Sequence, residues 1–208
     1  MSKPEDRPVP RFAAEPPQQL APSGEFKQKL TEEFLAAGLE IADEIGKPGD
    51  IRFFPDRTWS GRTYQPAVSR TDSDLDLFGL VSYRPAFDDG DEAEGFQATA
   101  DWTDETADKN PDWKIDLCDE VVGGWRGQEG EVAAMTVVWG TPIGKGAMTA
   151  TAELGDLVVD QCTIVDGRFT LLAPDAYRGD TLEVALYDSH GKELTRESLY
   201  SDDGEDEE

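Results

Sequence analysis

The chain has 208 residues and a formal net charge of −26, from 45 Asp and Glu against 19 Lys and Arg. That balance repels nucleic-acid backbones and anionic membrane surfaces, and it favours basic proteins or cations as partners. No stretch approaches the roughly 18 apolar residues of a membrane-spanning helix, and the first residues lack the apolar core of a secretion signal. A cytoplasmic location, with Cys118 and Cys162 as reduced thiols, is the expectation.

Residues 1–22 carry six of the thirteen prolines: Pro4, Pro8, Pro10, Pro16, Pro17 and Pro22. The composition predicts a disordered, Pro-rich arm. A helix follows. Ser23 suits its N-cap and Glu25 its positive end. Phe26, Leu30, Phe34, Ile41 and Ile45 recur at helical spacing, widened by Leu35 and Leu39, and Gly46 with Pro48 and Gly49 stops the pattern.

From Ile51 the pattern turns to strands. "IRFF", "DLFGLVSY", "FQATADWT" and "WKIDLCDEVVGGW" are short runs of β-favouring residues. "EVAAMTVVWG" is apolar on both faces and reads as a buried strand. "AMTATAEL" alternates, with Met148, Ala150, Ala152 and Leu154 on one face. "CTIVDGRFTLLAP" predicts a hairpin, because Asp166-Gly167 supplies two positive-φ turn positions. "TLEVALYDSHGKELTRESLY" predicts another, with Leu182, Val184 and Leu186 inward and Gly191 in the turn. The expected fold is therefore mainly β: an antiparallel sandwich with one N-terminal amphipathic helix. In its alternation and turns the last 75 residues or so resemble immunoglobulin-like or prealbumin-like domains. The organisation expected is an arm over 1–22, a domain over 23–200 with a sub-boundary near 125–131, and a disordered acidic tail over 201–208.

Two acidic zones stand out. Residues 85–120 hold thirteen acids against Lys109 and Lys114, and the tail "SDDGEDEE" adds six more. They suggest one functional alternative, an acidic decoy for a basic protein.

Candidate chemistry begins with Asp74 and Asp76 in "SRTDSDLDLFGLVSY". Two carboxylates at i and i+2 of a strand share a face and can hold one hard cation, Mg²⁺ or Ca²⁺. "SDLDLFGLV" resembles the carboxylate strand of the nucleotidyltransferase superfamily, and the preceding helix and "IRFF" strand fit its order over residues 24–83. The resemblance implies metal-dependent nucleotidyl chemistry. The Gly-Ser pair that holds phosphates in that family is replaced here by "FFPDRTWSG", so a degenerate relative is the form that this alternative takes.

"PDRTWSGRTYQPAVSRT" reads as a loop or irregular edge that gathers Arg57, Trp59, Arg62, Tyr64 and Arg70. Arg and aromatic residues anchor interfaces and form anion pockets, so these five are the candidate binding residues. Trp113 and Trp125 read as core, with a carbohydrate-stacking face as the alternative. With His190 as the one histidine and two separated cysteines, neither a His-rich zinc site nor a Cys₄ site is available, and "GTPIGKGAM" lacks phosphate-loop spacing. The resulting expectation is a non-catalytic binding or scaffolding module with a protein partner and no cofactor. The metal-dependent reading at Asp74 and Asp76 stands as the alternative.

Overall fold

The computed structural model describes residues 22–39, 41, 45–86, 92–126, 132–155, 157–177 and 179–200. The acidic tail and the arm up to residue 21 lie outside the described residues, as do residues 127–131 of the expected sub-boundary. One helix, α1 (Gly24–Leu39), leads into twelve strands: β1 (Pro48–Phe53), β2 (Arg57–Trp59), β3 (Arg62–Thr71), β4 (Asp76–Arg84), β5 (Glu94–Thr103), β6 (Ile115–Arg126), β7 (Val132–Pro142), β8 (Thr149–Leu154), β9 (Leu157–Thr163), β10 (Phe169–Asp175), β11 (Leu182–Tyr187) and β12 (Glu193–Ser198). Every pairing between them is antiparallel. Among the described residues the chain is mainly β with one helix, as its alternation predicts. It departs from a two-sheet plan in forming three sheets.

Sheet 1 has the order β1-β3-β4-β5, with β2 also on β3. Sheet 2 is β10-β7-β6, and sheet 3 is β12-β11-β8-β9. Three apolar clusters stack these layers. Leu30 and Phe34 of α1 meet Phe53, Ala67, Leu77 and Val81 on the outer face of sheet 1. The inner face gives Tyr64, Val68 and Leu80 to Met135, Val137, Trp139 and Leu172 of sheet 2. The far side of sheet 2 gives Val138, Phe169 and Leu171 to Ala150, Leu182, Val184 and Leu186 of sheet 3. Strand β7 is therefore apolar on both faces because it is covered on both, as the run "EVAAMTVVWG" requires.

The helix ends at Leu39, short of the predicted stop near Gly46. Its last turn holds no basic residue and contains Gly38, whose missing side chain lets Leu77 approach; a Cβ there would lie 3.0 Å from Leu77 Cδ2. Ile45 is still fully buried in the same cluster, from outside the helix.

The "PDRTWSGRTYQPAVSRT" stretch is strand, not loop. Ser60 and Gly61, at φ 52° and 76°, turn β2 into β3. Pro66 sits inside β3 because it faces the break between β1 and β2, where no ladder bond is asked of its nitrogen. There the Pro66 carbonyl accepts the Phe54 N–H at 3.0 Å, and the Gln65 amide donates to the Phe54 carbonyl.

Asp166 and Gly167 turn the chain at φ 51° and 72°, as the sequence predicts. The flanking strands then part. Only Val165 and Arg168 bridge across the turn; β9 pairs with β8 in sheet 3 and β10 with β7 in sheet 2. The edge of β10 is closed by Asp160 of β9, whose carboxylate accepts the Leu172 N–H at 2.8 Å and pairs with Arg57.

Candidate functional site

Strand β6 lies over β4 and β7 over β3, while β5 extends sheet 1 one strand further. Between the sheets, at the end where β4 begins, a cavity of about 350 Å³ opens. Its inner wall is apolar and aromatic: Phe54, Val68, Phe78, Trp113 and Trp139. Its polar lining is one-sided, with Asp76, Asp101, Glu105, Asp116 and Asp119 against the single guanidinium of Arg52. The indole N–H of Trp139, fully buried, has no hydrogen-bond partner.

Burial shapes the charges here. Desolvation, and then the Asp76 carboxylate nearby, push the Asp116 carboxyl above its usual range, with Arg52 opposing. Desolvation likewise raises Asp119, with Asp175 adding to it. The Cys118 thiol is driven far upward by burial and by Asp116, so it is protonated and a poor nucleophile. The Cys162 thiol, pushed up to about 12 mainly by burial, is similarly inert.

A smaller cavity of about 220 Å³ opens at the other end of the same inter-sheet groove. Arg62, Tyr64, Ser82, Gln97, Thr99 and Glu120 line it. Thr99 Oγ1 donates to the Glu120 carboxylate at 2.7–2.8 Å, linking β5 to β6. Burial raises the Glu120 carboxyl, and the Thr99 bond partly offsets this.

The five candidate binding residues do not form one surface. Arg57, only 2 % exposed, spans to Asp160 of sheet 3, and Tyr64 is buried between sheets 1 and 2. Trp59 packs on Gly123; a Cβ there would stand 2.7 Å from the indole. Arg62 bonds Ser82 Oγ and the Gly95 carbonyl, both at 2.9 Å, beside the smaller cavity. Arg70 lies at the opposite end of β3, roughly 27 Å away along the strand.

Arg70 also answers for the two aspartates. Asp74 turns into β4 at φ 62°, with its side chain 86 % exposed, and Asp76 sits directly across from Arg70. The guanidinium reaches Asp76 at 3.2 Å and Asp74 at 3.4 Å. Asp74 and Asp76 thus share a cation supplied by the chain itself. Among the described residues no group of three His, Cys, Asp or Glu is placed to hold a metal ion, and no helix is long and apolar enough to cross a membrane. Of the two tryptophans, Trp113 lines the larger cavity, and Trp125 packs edge-on against Tyr177 at 5.6 Å.

No protein-family model, no curated protein and no solved structure matches this chain. The resemblance of "SDLDLFGLV" to a nucleotidyltransferase strand therefore rests on those residues alone.

The sequence reading missed Arg52, Asp101, Glu105, Asp116 and Asp119 as a set. The acid excess over 85–120 was the available signal. It gave no site because these residues come from β1, β5, β6 and a loop, and only strand register brings them together.

Proposed function

We propose that this chain is a non-catalytic binding module that captures a basic protein segment in the cleft between sheets 1 and 2. The observation that carries this reading is the cavity's composition: Asp101, Glu105 and Asp116, with Asp76 shared with Arg70, outnumber the guanidinium of Arg52 over an aromatic wall. Ammonium and guanidinium groups suit such a site, by charge at the mouth and by cation–π contact at the wall. The contact surface proposed is thus the cleft, with Arg62 at its far end.

The test is titration calorimetry with poly-lysine against wild type and an Asp101→Asn/Asp116→Asn double variant. Wild type is expected to bind, more weakly at about 150 mM salt than at about 20 mM, as screening requires. The double variant is expected to lose roughly tenfold in affinity. Binding should also fade under acid conditions, beginning above the usual carboxylate range, because Asp116 takes up its proton early and loses its charge. Equal affinity in both proteins would reject the cleft as the contact surface.

A further inference from the structure

The middle sheet is one strand short of the sheet on which it packs. Strand β7 covers β3 through Val137 and Trp139, and β6 covers β4 through Cys118 and Val122. No strand among the described residues lies over β5; only the Glu120 side chain of β6 reaches across to it, at Thr99. The outward side chains of β5, Phe96, Ala98 and Ala100, pack beneath α1, whereas Gln97, Thr99 and Asp101, facing the groove, are exposed. Among the described residues strand β6 pairs with one strand, β7, from Ile115 opposite Pro142 to Arg126 opposite Val132, and at its start Glu197 accepts the Ile115 N–H at 3.1 Å. The other edge of β6 borders the exposed groove face of β5. The opposite edge of the same sheet, β10, is closed by Asp160.

Strands in a sheet repeat at about 4.8 Å and stacked sheets lie about 10 Å apart. One further strand on β6 would lie over β5 and complete the layer. The walls select its chemistry: Asp101 on β5 and Asp116 and Glu120 on β6 face the gap, with Asp76 and Glu105 at one end. We infer that the partner binds by strand addition, an extended segment with Lys or Arg at every second position pairing with the free edge of β6 across β5. Alternate side chains would then point at the carboxylates. A second copy of this chain is a poor occupant, since it carries a charge of −26 and brings Asp116, Asp119 and Glu120 on its own edge.

This inference rests on the cleft being the binding site, and the experiment separates the two. The probes are the peptide Lys-Thr-Lys-Val-Lys-Thr-Lys and two N-methylated forms, one methylated at the lysines and one at the residues between them. All three carry the same charge, but each methylated form loses the amide donors of one strand edge. The unmodified peptide is expected to bind the full chain and to slow hydrogen exchange at the amides of residues 116–122. One methylated form is expected to lose at least tenfold in affinity. If both methylated forms bind as well as the parent, with no protection of β6, strand addition is overturned and the cleft reading survives. If none of the peptides binds and poly-lysine also fails, the acids only guard an open edge, and both readings fall. Protection of β6 in the free protein that grows with its concentration would assign the edge to a second copy and overturn the inference.

Discussion

Asp116 carries two opposed demands. Its carboxylate gives the cleft its charge, yet burial raises its pKa above the ordinary 3.8. A carboxyl raised by folding contributes stability below its unfolded pKa and loses that contribution as pH climbs through the folded value. At neutral pH Asp116 therefore weakens the fold. Asp116→Asn is expected to raise the melting temperature at pH 7 and to leave it unchanged near pH 3, read by calorimetry at both values; a lower melting temperature at pH 7 would mean that Arg52 more than compensates the burial. Glu153 shows the reverse sign. Burial pushes it up, but bonds from Arg196, Thr151 and Tyr187 outweigh this and hold it below its usual value, so its contribution is lost as acid is added. Individual residues were the hardest scale to read from sequence. Arg57 and Tyr64 look like interface anchors in a linear string, and the partners that bury them, Asp160 and Trp139, come from strands far along the chain.

Elements were more legible where periodicity decides them. The alternation of "AMTATAEL" and "TLEVALY" placed Ala150, Ala152, Leu182, Val184 and Leu186 in the core, where they are buried. Legibility failed at breaks in pattern. The stretch through β3 has few apolar residues and reads as a loop, and the gap between β1 and β2 explains how the strand tolerates Pro66. The Asp166-Gly167 turn was legible, but the divergence of its strands was not, because the turn sets a local bend and not which sheet each arm joins. That divergence makes Asp160 structural. Its carboxylate closes the β10 edge and pairs with buried Arg57. Asp160→Ala is expected to destabilise the chain by about 3 kcal/mol, the usual scale for removing one partner of a buried ion pair, measured by urea unfolding. A loss under about 1 kcal/mol would mean that Arg57 is as well served by its other contacts.

For the whole molecule, sheet 2 is the shared element. Its two faces belong to two different apolar clusters, so neither half of the chain keeps a closed core without it. Strands β6 and β7, on either side of the expected sub-boundary near 125–131, pair along nearly their full lengths. Thermal unfolding is expected to be one cooperative calorimetric transition; two resolved transitions would support the boundary. The layering itself was invisible in the sequence, since hydrophobic alternation says that a strand has a buried face without saying which sheet buries it.

The crossing between sheets also sets the order in which the chain can be built. Sheet 2 needs β10 beside β7, with Thr170 opposite Trp139, and the intervening β8 and β9 belong to another layer. A polypeptide leaving the ribosome can close sheet 1 against its helix early, because β1 to β5 are contiguous. The middle layer waits for its third strand. Throughout that interval the nascent chain presents unfinished strand edges to its neighbours, and the acids of residues 85–120 accompany them. Mutual repulsion between such chains during synthesis is a second use for the same carboxylates that line the mature cleft.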